Sequence, residues 1–102
     1  MYYLQRTREF DRWLRRLRDM RAKARILARL RSAELGNLGE VEPVGGGISE
    51  LKVHYGPGYR VYFKRTEKVV LLILCGGSKS TQEKDILKAK TLATKYEDEY
   101  NE

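Results

Sequence analysis

The stretch HYGPGYRVYF, residues 54–63, sets a histidine, an arginine and four aromatic rings around a Gly-Pro-Gly turn, with Lys52 just before it and Lys64 just after. Imidazole can accept a proton near neutral pH, and a guanidinium grips phosphate oxygens through two parallel hydrogen bonds. If Gly56-Pro57-Gly58 is a three-residue loop, Tyr55 faces Tyr59, Val53 faces Val61 and Leu51 faces Phe63, which makes one apolar face for helices to cover. The other face then pairs His54 with Arg60, Lys52 with Tyr62, and Glu50 with Lys64 as a cross-strand ion pair. It is expected to meet water as a basic concavity. Lys52, His54, Arg60 and Lys64 suit a phosphate backbone there, and Tyr62 suits stacking on an unstacked base. Lys79 follows the next strand and is expected to project over the same surface. A one-residue slip in register would exchange the two faces.

Proton transfer beside a bound nucleic-acid phosphate is the chemistry such a face could perform. It needs a proton acceptor, for which His54 is the candidate, and cations around the phosphate, for which Arg60, Lys79 and Lys52 are the candidates. No cofactor is called for. One cysteine (Cys75) and one histidine are too few for a structural zinc site.

The charge is lopsided. The net charge is +7, and residues 1–35 carry all of it, with eleven Lys and Arg against four Asp and Glu; the remainder balances. Nearly all of these bases are arginines, and a cluster of this kind points to a polyanion such as nucleic acid, with Arg16 and Arg25 assigned to substrate. The opening residues do not resemble a signal peptide, and the longest apolar run, Val69 to Cys75, is too short to span a bilayer. A single cytoplasmic domain, residues 1–102, with no membrane contact is the expectation.

The elements that must position these groups follow from periodicity. Met1–Arg6 reads as a strand. A helix from Thr7 or Arg8 to about Met20 carries Phe10, Trp13, Leu14 and Leu17, and a second runs to about Leu35, closed by Gly36 and Gly39; the pair forms a hairpin with its corner at 19–21. Gly45-Gly46-Gly47 reads as a flexible interruption. Strands are expected over 48–55, 59–65 and 68–75, the last without alternation and therefore covered on both sides. Ser80 and Glu83 form a capping box for a final helix with Ile86, Ala89, Ala93 and Tyr96 on one face. Cys75 reads as core, the acidic run at 97–99 as a frayed end, and Tyr100 as packing. The fold class is α+β: strand, two helices, three strands, helix, around a small and mainly antiparallel sheet.

Glu50-Leu51-Lys52, Gly58-Tyr59-Arg60-Val61-Tyr62-Phe63, and the run from Leu72 through Gly76-Gly77-Ser78-Lys79-Ser80-Thr81-Gln82 together resemble addiction-module killer proteins of the RelE/ParE superfamily, close to the HigB-like group. The resemblance covers nearly the whole chain and implies a RelE-like fold. It also implies the toxin of a type II toxin–antitoxin module, a metal-independent mRNA interferase acting on the ribosome to arrest growth. A cognate antitoxin protein, the ribosome and mRNA would be its partners, with operator DNA contacted through the antitoxin complex. The resemblance gives Arg60 the scissile phosphate, makes Lys52 a second base, and has Lys79 stabilise the leaving group. Two positions depart from the pattern. Glu50 stands where a base is usual, and Asp85 lies near where a tyrosine or histidine is expected. Trp13 reads as core; exposed, it would anchor an acidic antitoxin segment. Two other readings stay open: a ParE-type inhibitor of DNA gyrase, and a non-catalytic nucleic-acid-binding module.

Overall fold

The computed structural model describes residues 1–100, with side chains through Glu97, so the expectations for Asp98, Glu99 and Tyr100 lie outside the described side chains. The Thr7 hydroxyl joins the first helix to the sheet. Its Oγ1 accepts from the Phe10 N–H at 3.0 Å and donates to the Leu74 carbonyl at 2.6 Å. It thereby caps α1 (Arg8–Arg16) and ties β1 (Tyr3–Arg6) to the strand beside it. Asp19 caps α2 (Met20–Glu34), accepting from the Arg21 and Ala22 N–H groups at 2.9 and 3.2 Å. That cap draws the corner forward to 17–19, so α1 ends short of the expected Met20. The hairpin itself is as expected.

The sheet has five strands: β1, β2 (Val41–Gly45), β3 (Ile48–Val53), β4 (Tyr59–Glu67) and β5 (Val70–Ser78), in the spatial order β1-β5-β4-β3-β2. Only β1 and β5 run parallel; the other pairs are antiparallel. β2 corrects the sequence reading. Gly45-Gly46-Gly47, all at positive φ, close a β2–β3 hairpin and are not a flexible break. Pro43 hid the strand, but proline is compatible with an edge, and β2 is an edge. The strand expected over 68–75 starts at Val70 and runs on through Gly76 and Gly77 to Ser78. A 3₁₀ turn, Lys79–Thr81, follows, and α3 (Gln82–Tyr100) begins two residues past Ser80. Ser78, not Ser80, heads that turn, its N–H directed at the Thr81 hydroxyl.

Helices cover both faces. α1 and α2 pack Phe10, Leu14, Ile26 and Leu30 against Leu51, Val53, Val61, Phe63, Leu71 and Ile73. α3 packs Ala89, Leu92, Ala93 and Tyr96 against Ile48, Tyr62, Leu72, Leu74 and Cys75. β5 is therefore covered on both sides, as its unbroken apolar run predicts. No helix among the described residues is long and apolar enough to cross a membrane.

Trp13 lies on the core, edge-on to Tyr59 with ring centroids 6.2 Å apart, and flat over Gly76. A Cβ at residue 76 would overlap the indole ring. Gly76→Ala is therefore expected to lower stability by about 1–3 kcal/mol, the usual penalty of overpacking, measured by urea unfolding.

Candidate phosphate-binding site at the open end of the sheet

β3 and β4 pair Val53 with Tyr59, Leu51 with Val61, Lys52 with Arg60 and Glu50 with Tyr62. This register is displaced by two residues from the expected one. The connection is the five-residue loop 54–58, because Tyr55 leaves the ladder for the helical hairpin. Its ring lies under the Arg25 guanidinium, 4.8 Å away, and its hydroxyl meets Asp19 at 3.3 Å. A shift of two keeps every side chain on its predicted face. It does separate His54 from Arg60, and Lys52 takes the place opposite Arg60.

The face bearing Lys52, Arg60, Tyr62 and Lys64 was expected to be open to water. Instead α3 covers much of it: Glu50 and Tyr62 are 0% exposed and Arg60 is 7% exposed. Stacking of a base on Tyr62 is sterically excluded while α3 is docked. Nor is Glu50 the surface partner of Lys64. Glu50 lies inside, accepting from the Tyr62 hydroxyl at 2.9 Å and from Gln82 Nε2 at 2.8 Å, and facing Arg60 Nε at 3.6 Å. Burial, and next the bond to Glu50, raise the Tyr62 phenol well above its ordinary pKa. Lys64 pairs with Glu97 of α3, four residues along β4 from Arg60.

The expected basic concavity is in fact a surface of paired charges. His54 Nε2 lies 3.0 Å from Glu40 Oε2, and Lys52 Nζ lies 2.7 Å from Glu42 and 4.0 Å from Glu40. The hydrogen bond with His54 holds the Glu40 carboxyl below its ordinary pKa, and the one with Glu42 holds Lys52 above the usual lysine value. Glu40 directly precedes β2 and Glu42 lies within it, the strand that the sequence reading did not find. Their signal was the alternation Glu40-Val41-Glu42, interrupted at Pro43. Arg29 secures the junction by donating to the carbonyls of Lys52 and Leu38.

Lys79 forms no ion pair among the described residues. Its backbone N–H donates to the Gly58 carbonyl at 2.8 Å, and Arg60 Nη1 donates to the same oxygen at 3.1 Å. One carbonyl thus holds the guanidinium and the start of the Lys79 turn together at the open end of the sheet. Gly58 sits at φ +78°, a left-handed conformation that glycine adopts without strain, and a Cβ there would also crowd Arg60 Nη1 at 3.2 Å. The structure therefore brings Arg60 beside Lys79, and Lys52 beside His54 through Glu40. Arg25 lines a shallow pocket with Arg29, Val53 and His54, while Arg16 stands exposed in the last turn of α1, apart from the rest. Asp85 lies against Gly77 and accepts from the Thr81 hydroxyl at 2.5 Å.

Cys75 is buried, and burial pushes its thiol up to about 12. It is expected to stay unlabelled by iodoacetamide at pH 8 in the native protein and to react once urea unfolds the chain; rapid labelling of the folded protein would contradict this placement.

The chain matches no family model. It is 51% identical over 87 residues to an uncharacterized protein of Haemophilus influenzae, a match covering 85% of this chain and 88% of that one. Among solved structures it superposes on a chain of the toxin–antitoxin complex RelBE2 from Mycobacterium tuberculosis with a TM-score of 0.59 and 19% identity, over 76% of this chain and 98% of that chain. A conserved hypothetical protein from Helicobacter pylori gives a TM-score of 0.46 and 17% identity, over 78% and 97% of the two chains. The chain therefore belongs to one family with the Haemophilus influenzae protein, and its fold is RelE-like.

Proposed function

We propose that this chain is the toxin of a type II toxin–antitoxin module, a cytoplasmic endoribonuclease that cuts messenger RNA on the ribosome without a metal and is neutralised by a cognate antitoxin. The observation that carries the reading is the meeting of Arg60 and Lys79 on the Gly58 carbonyl, in a fold shared with a chain of a toxin–antitoxin complex. In the proposed reaction the 2′-oxygen bonds to phosphorus as its proton leaves, and the bond to the 5′-oxygen breaks as that oxygen gains a proton from the Lys79 ammonium. The products are a 2′,3′-cyclic phosphate and a 5′-hydroxyl. Arg60 and Lys79 neutralise the pentacovalent phosphate and Lys52 adds charge. His54, oriented by Glu40, accepts the 2′ proton.

The Lys52–Glu42 pair lies at the surface, with Glu42 exposed and Lys52 half-buried, and surface ion pairs are weak, so an entering phosphodiester can displace the Glu42 carboxylate. Arg12, Arg15, Arg16, Arg18, Arg21 and Arg25 are exposed and form no ion pair among the described residues. They are suited to the phosphate backbone of ribosomal or messenger RNA, with the ribosome supplying the orientation that a sparse catalytic set lacks. Operator DNA would be met only through the antitoxin complex.

One observation favours the ParE-type alternative: unpaired positive charge lies mainly on the helical hairpin, while every cation of the sheet face except Lys79 faces a carboxylate. Purified protein added to ribosomes programmed with a defined message separates the two readings. Cuts that need the ribosome support the nuclease; an intact message, with inhibition of gyrase supercoiling in a parallel reaction, would replace it with the alternative.

A further inference from the structure

Glu50 is a carboxylate in the middle of β3, fully buried beneath α3. Removing such a charge from water is unfavourable unless its lone pairs and its charge are answered. One oxygen is well answered: Oε2 accepts from Tyr62 Oη and from Gln82 Nε2. The other, Oε1, faces Arg60 Nε at 3.6 Å as an ion pair, and neither atom has a hydrogen-bond partner among the described residues. The two bonds to Oε2 come from different layers, Tyr62 from β4 and Gln82 from the first residue of α3. They fix the plane of the carboxylate against both sheet and helix.

A guanidinium is planar and offers two donor edges, one shared by Nε and an Nη group and one shared by the two Nη groups. On Arg60 the Nε edge is turned toward Glu50, and Nη1 is held by the Gly58 carbonyl. These two constraints set the orientation of the group, and Nη2 has no hydrogen-bond partner among the described residues. We propose that Glu50 is a positioning residue: with Tyr62 and Gln82 it forms a buried anchor that occupies the Nε edge of Arg60 and presents the Nη edge to a phosphodiester. This deepens the nuclease reading and rests on it for the identity of the phosphodiester. It also explains why an acid occupies a position where the resemblance leads one to expect a base. The acid does not meet the ligand; it aims the cation that does.

The anchor can be tested on the isolated full-length chain and separately on ribosomes. In the isolated chain, ¹⁵N-edited NMR should show a dispersed, slowly exchanging Arg60 Nε–H. Glu50→Gln, which preserves shape, should speed that exchange at least tenfold while backbone shifts stay native. On ribosomes programmed with a defined message, Glu50→Gln should reduce the single-turnover cleavage rate about 10²-fold, the scale of a slightly misplaced group, with half-saturation unchanged. In an Arg60→Lys background it should have no further effect. If Glu50→Gln does not fold, Tyr62→Phe and Gln82→Met each remove one bond to Oε2 and should each raise Arg60 Nε–H exchange severalfold. Unchanged exchange in the folded variants would overturn the proposal. If the wild type cuts no message, the nuclease reading falls, and the NMR measurement still decides whether Glu50 holds Arg60.

Discussion

Arg60→Ala is expected to lower the stability of the protein by about 3–5 kcal/mol, far more than loss of a surface arginine. The reason lies in Glu50, which is fully buried and has Arg60 as its only cationic neighbour within ion-pair distance among the described residues. Truncating the guanidinium leaves a carboxylate inside the protein with its Oε1 unanswered and its charge uncompensated. The loss should be strongly non-additive: adding Glu50→Gln to Arg60→Ala should recover a large part of it, because the charge is then gone. Urea unfolding of the two single variants and the double variant measures this coupling. Additive losses would show that the two side chains do not share one energy. One practical consequence follows for any activity test. Loss of growth arrest in Arg60→Ala reports unfolding and chemistry together, so Arg60→Lys or a substitution outside the buried pair is the cleaner control.

Lys79→Ala provides that control, and its expected effect is of another kind. The side chain is exposed and forms no ion pair among the described residues, and the bond that holds the turn, from its backbone N–H to the Gly58 carbonyl, survives the substitution. Thermal stability should therefore change little. Cleavage should fall about 10²–10³-fold, the typical effect of removing one preorganised donor from a developing oxyanion. Single-turnover cleavage on programmed ribosomes, alongside a melting curve, checks both halves. A fall in melting temperature that matched the loss of activity would make Lys79 structural; full activity in a stable variant would remove it from the site.

The helical hairpin and both faces of the β3–β4 ribbon were legible in the sequence, because period-two alternation decides which face a side chain takes and a two-residue displacement leaves that unchanged. Leu51, Val53, Val61 and Phe63 are core as predicted. The neighbours across the ribbon were not legible. They depend on loop length, and loop length was set by Tyr55 finding Arg25 and Asp19 on a distant corner. Alternation also says nothing about what covers a face. Glu50, Arg60 and Tyr62 were placed on the correct side but read as exposed, because the docking of α3 is a tertiary event. Gln82 carried no signal as a partner of Glu50 for the same reason. The carboxylates of Glu40 and Glu42 were missed with β2, whose pattern is broken by a proline and followed by three glycines.

The central claim is that Arg60 and Lys79, gathered on one carbonyl, form a site that acts on RNA. Controlled expression of the chain in bacteria, with transcript 5′ ends mapped and Lys79→Ala expressed to the same level, tests it most directly. The account predicts growth arrest with new 5′ ends inside translated regions, absent when translation is blocked and absent or strongly reduced in Lys79→Ala. Growth arrest with intact transcripts, or cuts that persist undiminished in Lys79→Ala, would contradict it.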